Sequence, residues 1–333
     1  MIKAISLISG GLDSTLATKV ILEQGIEVIA ANFVSPFCRC SHRAGCQNEA
    51  KFVSENLGIP LRVFNVTQDF LEVLKSPKHG YGSHMNPCLD CRILMLKKAK
   101  EFMDKEGAHF LITGEVLGQR PMSQRRDAMR TIEKEAGVLG LVLRPLSAKL
   151  LEPTIPEEKG WVDRQKLLDI SGRSRKVQFQ MAEDFNIKDY PCPAGGCLLT
   201  DPHFSKRVKD LLEHQELTME DVGLLNHGRY FRLTKAAKLV VGKDEHDNQM
   251  LESIKKDTDI FFMPPEEISG ASALGRGDFS KKEGVILAAR IVSRYFDRKE
   301  DDTRVKIEVS YKGKTETLEV EAFSDAEAKK YII

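Results

Sequence analysis

Six residues near the amino terminus, Ser9-Gly10-Gly11-Leu12-Asp13-Ser14, combine the residue types that bind phosphate. They follow an apolar run, Ile2 to Ile8, that reads as a buried strand. They open a segment with helical spacing, Leu12 to Gln24. Gly10 and Gly11 permit positive φ and let backbone N–H groups approach an anion with no Cβ in the way. The helix that follows aims its free N–H groups and its positive dipole end at the same point. Ser9 and Ser14 offer hydroxyls to phosphate oxygens, and Asp13 can hold Mg2+ or cap the helix. No Gly-Lys-Ser/Thr follows, so this is not a Walker loop. The plainer reading is a strand–helix turn with two glycines and a capping Asp.

Thiols form the second set. Asn86-Pro87-Cys88-Leu89-Asp90-Cys91-Arg92 places a Cys-x-x-Cys at a helix start, where Pro87 is tolerated. The helix N-terminus and Arg92 are expected to lower the thiol pKa values. Pro191-Cys192-Pro193-Ala194-Gly195-Gly196-Cys197 is a loop whose glycines let the backbone fold tightly about Cys197. One Cys-x-x-Cys is open among zinc, redox and cluster roles. A structural zinc would take Cys88, Cys91, Cys192 and Cys197, although Pro193 makes the spacing of the second pair imperfect. Cys38, Cys40 and Cys46, with His42, follow the second strand and are either a second metal site or an incidental cluster. No role is assigned to them.

The six-residue loop resembles the signature of the adenine-nucleotide α-hydrolases (the PP-loop ATPases), which bind the pyrophosphate of ATP and release it while transferring AMP. A second segment, Leu111-Ile112-Thr113-Gly114-Glu115-Val116-Leu117-Gly118-Gln119, continuing to Ser123-Gln124, resembles the Thr-Gly-Glu…Leu-Gly-Gln…Ser-Gln segment of the 4-thiouridine synthetases. Arg144-Pro145-Leu146 resembles the Arg-Pro-Leu that follows it there. Gly114 would let the chain turn close to the nucleotide, with Glu115, Gln119 and Gln124 at the rim of the pocket. The thiols resemble those of tRNA thiolases. In the 2-thiouridylases an Asn-Pro-x-x-x-Cys segment and a later Gly-rich loop each supply a catalytic cysteine, places held here by Cys91 and Cys197. The sequence departs from them in carrying Cys88. Cys88, Cys91 and Cys197 together resemble the three thiolates of the iron–sulfur-dependent thiolases, which hold a [4Fe–4S] cluster with one open iron. The resemblance therefore implies that cluster, with zinc or a cofactor-free persulfide relay through Cys91 and Cys197 as alternatives.

The segment from Leu225 to Ser253 resembles the RNA-binding module named from the NFACT proteins. Arg229-Tyr230-Phe231-Arg232 within it reads as one strand face that presents Arg229 and Arg232 to RNA phosphates while an aromatic stacks on a base. The plainer reading is a β-hairpin with a solvated basic edge.

The elements must bring these residues together. The chain has 333 residues, 41% hydrophobic and 30% charged, a globular balance with room for about two domains. Short apolar runs at Ile2–Ile8, Glu27–Phe33, Leu61–Val66, His109–Thr113 and Val142–Leu146 alternate with helical segments Leu12–Gln24, Cys46–Leu57 and Cys91–Met103. Strands alternating with helices predict an α/β, doubly wound parallel sheet, adenine-nucleotide α-hydrolase-like, followed by a smaller α+β domain. In such sheets ligands lie beyond the carboxyl ends of the strands, so the loops Ser9–Ser14, Ser35–Cys46 and Gly114–Met122 should converge. The expected divisions are an ATP-binding adenylation domain over 1–185, a cysteine-bearing catalytic loop over 186–200 and an RNA-binding-like domain over 201–333. A helical segment is expected over roughly Asp163–Phe185, interrupted around Ser171-Gly172-Arg173, and the tail Ser324–Ile333 is expected to fray.

A net charge of +1 means that RNA contact must come from local patches. Seven cysteines without an export signal suit a reducing, cytoplasmic setting. No apolar run is long enough to span a membrane. The combined reading is a tRNA thiouridine synthetase that uses ATP and Mg2+. Its expected catalytic residues are Asp13, Cys91 and Cys197. Its expected nucleotide-binding residues are Ser9, Gly10, Gly11, Asp13, Ser14, Gly114 and Gln119. Its partners would be tRNA and a sulfur donor, either sulfide or a cysteine desulfurase or carrier. The rivals are another PP-loop adenylating enzyme, such as a 7-cyano-7-deazaguanine synthase with cysteine-bound zinc, and a non-catalytic RNA-binding protein.

Overall fold

The computed structural model describes residues 2–38, 46–187, 196–214, 217–297 and 304–333, without the side chains of residues 46 and 47. The chain divides into two compact units, Met1–Asp201 and Pro202–Ile333.

The first unit is built on strands β1 (Lys3–Leu7), β2 (Glu27–Val34), β3 (Leu61–Asn65), β4 (Phe110–Thr113) and β5 (Val142–Leu143). All neighbours pair in parallel, in the order β3-β2-β1-β4-β5. Helices α1 (Leu12–Leu22), α2 (Cys46–Leu57), α3 (Thr67–Lys75), α4 (Cys88–Lys105) and α5 (Arg126–Ala136) join them. The strand alternation sorts side chains onto two faces. Ala4, Val28, Phe110 and Ile112 meet Leu12, Leu16, Val20 and Ile21 of α1. Ile5, Ile29 and Leu111 meet Ile93, Leu96, Ala99 and Phe102 of α4 and Ile132 of α5. Both faces are therefore covered, which explains why β1 and β4 carry apolar residues on both sides. The strand order reverses between β1 and β4, and the crevice at that switch point is where α/β sheets bind ligands.

Several elements differ from expectation. β5 stops at Leu143 because Arg144 turns into the core and Pro145 has no N–H to continue the ladder. The helical segment expected over Asp163–Phe185 is broken around Ser171–Arg173 as expected, but its first part is only a 3-10 turn at Arg164–Lys166 before an α-helix at Lys176–Asp184. Gly172, at φ +80°, separates them. Helices α3 and α5 were not expected; α5 buries only Ala128, Met129, Ile132, Glu133 and Ala136, a thin apolar stripe in a charged sequence. Among the described residues no helix is long and apolar enough to cross a membrane.

The second unit is an antiparallel sheet of β6 (Arg229–Thr234), β7 (Ala237–Val241), β8 (Ile260–Met263), β9 (Ala273–Gly277), β10 (Arg304–Tyr311) and β11 (Lys314–Glu321), in the order β11-β10-β8-β9-β7-β6. One face packs on the helix Lys282–Ser293 through Ala288, Ala289, Ile291 and Val292. The tail is docked rather than frayed. Ser324 and Glu327 form a capping box, and Tyr331 and Ile333 exchange backbone bonds with Arg232 and Tyr230 of β6 at 2.8 and 3.0 Å.

Candidate nucleotide and thiol site

The loop after β1 is drawn tight by its own side chains. Ser14 Oγ donates to the Gly11 carbonyl at 2.8 Å and accepts from the Ser9 amide at 3.3 Å. Gly10 sits at φ +79°, and a Cβ there would lie 2.6 Å from Glu49 Cβ. Gly11 is at φ −85°, so only Gly10 uses the left-handed freedom expected of both. No side chain caps α1, which leaves its first-turn amides for an anion. The loop after β4 closes over this turn. A Cβ on Gly114 would stand 2.4 Å from the Ser14 nitrogen and 2.5 Å from the Asp13 carbonyl carbon.

Asp13 does not cap its helix. Its Oδ2 accepts from Gln119 Nε2 at 2.7 Å and pairs with Arg175 Nη2 at 3.3 Å. Gln178 Nε2 in turn donates to Gln119 Oε1 at 3.3 Å. Gln119 therefore orients Asp13, and Arg175, which sequence reasoning missed, is its cationic partner. Glu115 and Gln124 line the cavity as expected, but are buried in its wall. Arg144 Nε donates to Glu115 Oε2 at 3.0 Å, its Nη1 pairs with Glu133, and Arg92 approaches Glu115 Oε1 at 3.5 Å. Burial pushes the Glu115 carboxyl up, but the Arg144 and Arg92 charges and the bonds from Arg144 and Thr113 hold it below the usual carboxylate range.

Replacing Arg144 with Met would leave Glu115 and Glu133 buried without their partner. Denaturant unfolding should show a loss of about 3–5 kcal/mol. Because the folded Glu115 pKa is depressed, its contribution is full above the ordinary carboxylate pKa and fades as pH falls through the folded value. The difference between parent and Arg144→Met should therefore shrink in acid; an unchanged gap would remove Glu115 from the account.

Cys88 opens α4 and Cys91 follows one turn later. Cys197 pairs across an isolated antiparallel bridge with Cys38, just beyond β2. All four thiols line one cavity together with Ser9, Gly11, Asp13, Ser14, Gly114 and Gln119. The expectation of a low thiol pKa at the helix start is overturned for Cys91. Burial pushes the Cys91 thiol far up; Arg92 lowers it by less, and Cys197, Cys88 and Cys38 push it higher. Burial likewise pushes Cys197 up, to about 12. Burial thus favours the neutral thiol at both, and a bound cation would favour the thiolates. Among the described residues no three His, Cys, Asp or Glu side chains stand close enough to share one metal ion. A cluster makes a different demand, since each thiolate binds its own iron, and three soft donors in one buried cavity suit it. Cys192, needed for the four-cysteine zinc set, lies outside the described residues, as do Cys40 and the side chain of Cys46. Cys38 was left unassigned by sequence, although its place just past a strand's carboxyl end pointed to this cavity.

Residues 2–150 match the family model described as thiamine biosynthesis protein (ThiI). Residues 228–332 match the NFACT protein RNA binding domain. A probable tRNA sulfurtransferase of Methanosarcina mazei is 32% identical over 123 residues, 35% of this chain and 29% of that protein. The tRNA-specific 2-thiouridylase MnmA of Syntrophotalea carbinolica is 32% identical over 114 residues, 32% of each. The chain thus matches about a third of the length of these curated relatives. A solved 4-thiouridine synthetase–RNA complex with bound ATP overlaps at a TM-score of 0.38 and 22% identity, over 67% of this chain and 52% of that one. The span matched by the ThiI model contains the phosphate loop, Cys38, Cys88 and Cys91, but stops before Arg175 and Cys197.

In the second unit Arg229 and Arg232 do not share a strand face, because residues three apart on a strand point to opposite sides. Arg229 Nη1 donates to the Gly242 carbonyl at 2.7 Å, and its guanidinium lies 4.8 Å from the Tyr295 ring centre. Arg232 Nε donates to Asp210 at 3.1 Å. Tyr230 and Phe231 are 2% and 0% exposed, so neither aromatic can stack on a base, contrary to expectation.

Proposed function

We propose that this chain thiolates a uridine of tRNA. The reading is carried by one observation: a single cavity is lined by a phosphate-binding loop and by four thiols. The names of the relatives and the two domain matches support it.

In this reading the amides and hydroxyls of Ser9, Gly10, Gly11 and Ser14 hold the phosphates of ATP, and Asp13, fixed by Gln119 and Arg175, holds Mg2+. Gly114 keeps the two loops close enough to align the α-phosphorus with a uridine O4 or O2. Attack by that oxygen forms a P–O bond and expels pyrophosphate. Sulfur then bonds to the activated ring carbon, and AMP leaves with the oxygen. Cys88, Cys91 and Cys197 would hold the [4Fe–4S] cluster, which would supply a binding point for sulfide. The buried wall around the thiols excludes water from the activated carbon. Without a cluster, Cys91 and Cys197 would carry the sulfur as a persulfide relay.

The test is to incubate the protein without oxygen with tRNA, ATP and sulfide, then analyse the nucleosides by mass spectrometry. Thiouridine should form only with ATP, with equal release of AMP and pyrophosphate. No pyrophosphate release with any tRNA would overturn the reading, and zinc with turnover of a small-molecule acid would favour the deazaguanine rival. The NFACT match supports tRNA contact by the second unit. Removing residues 202–333 should weaken tRNA binding and flatten its salt dependence while ATP binding persists. Equal tRNA affinity with and without them would remove that role.

A further inference from the structure

Cys38 and Cys197 face one another across an isolated antiparallel bridge. The Leu198 amide donates to the Phe37 carbonyl at 2.9 Å. That bond joins the residues flanking the pair, which makes Cys38 and Cys197 a non-hydrogen-bonded pair. In such pairs the Cα atoms are about 4.5 Å apart and the side chains project to the same side. A disulfide forms across Cα separations of roughly 4.4–6.8 Å, so the backbone need not move. Cys88 and Cys91 are placed less well. They stand one turn apart on α4, with Cβ atoms about 5–6 Å apart, whereas a disulfide holds them at roughly 3.5–4.5 Å. Neither Cys38 nor Cys197 is in a disulfide, and both line the cavity.

We propose that Cys38 is the oxidation partner of Cys197, and that the two close a reversible disulfide that withdraws Cys197 from the site. With a peroxide as oxidant, the sulfur of one thiol attacks an oxygen, the O–O bond breaks, and a sulfenic acid and one water form. The second sulfur displaces the hydroxyl, forming the S–S bond and releasing the second water. Two thiols lose two electrons in total, and one peroxide is reduced to two waters. A dithiol reductant reverses the closure by exchange. Cys197 is then available to hold a cluster or carry sulfur only under reducing conditions. The closure depends on where the two sulfurs stand and not on which base the protein modifies.

The experiment uses the full chain, stripped of metal with a chelator and exposed to one equivalent of hydrogen peroxide. Remaining thiols are then alkylated, and the digest is read by mass spectrometry. The main cross-linked peptide should join Cys38 to Cys197, with Cys88 and Cys91 alkylated. Dithiothreitol should restore alkylation of Cys197. The link should be lost in Cys38→Ser, where Cys197 stays alkylatable after peroxide, and should persist in Cys88→Ser. A wild-type link between Cys88 and Cys91, between Cys91 and Cys197, or from Cys38 to Cys40 or Cys46 would overturn the proposal. So would full alkylation of Cys38 and Cys197 after peroxide.

Discussion

Gly114→Val should bind ATP much more weakly than the parent chain, because the phosphate loop cannot keep its place beside the β4 loop. A Cβ at this position meets backbone, with Ser14 N at 2.4 Å and Asp13 C at 2.5 Å. Backbone cannot swing aside as a long side chain can. The β4 loop must retreat from the phosphate loop, and Gln119, which lies farther along the same loop, moves with it away from Asp13. Gly114→Ala should show the same direction of change, because the clash begins at the first carbon. Gly284→Ala, with nothing within 4 Å, is the control and should be neutral. Calorimetric titration with ATP reads both. If Gly114→Ala bound ATP like the parent, the close approach of the two loops would be irrelevant to the nucleotide.

The other large effect is expected at the thiols. Protein purified without oxygen should be brown and hold iron and acid-labile sulfide close to one four-iron cluster per chain. Alanine at Cys88, Cys91 or Cys197 should each reduce iron content and thiolation to background, since removing one of three thiolates leaves the cluster too few protein ligands. Alanine at Cys192 should do less. The two alternatives give different patterns. Zinc in place of iron, lost equally from all four variants, would mark a structural site. Full thiolation by Cys88→Ala without iron would mark the persulfide relay.

Local order made much of this legible in advance. β1, the phosphate loop and α1 are consecutive, and a buried strand, two glycines and a helical stripe are each visible within a few residues. The Cys-x-x-Cys lies within one helical turn and needed no tertiary knowledge. What escaped was set by distance. Arg175 reaches Asp13 across 162 positions, and Cys38 meets Cys197 through a single bridge between two loops. No periodicity records such contacts. The basic strand of the second unit failed for another reason. Arg229 and Arg232 were judged by type, but strand alternation parts them, and the aromatics between them fill the two cores on either side of the sheet. The thiol pKa values were judged from the neighbouring charge and the helix dipole, and burial outweighed the charge at Cys91.

The alternation of β1 also bears on how this protein can diverge. Ala4 belongs to one core and Ile5 to the other, and the phosphate loop begins two residues beyond Leu7. Inserting or deleting one residue within the strand would exchange the occupants of the two faces. It would also shift the loop by about 3.3 Å along the sheet. Substitutions of similar bulk can accumulate there, because packing tolerates them one at a time. The count of residues between Lys3 and Ser9 has no such latitude. Over this stretch, length should be inherited more faithfully than identity.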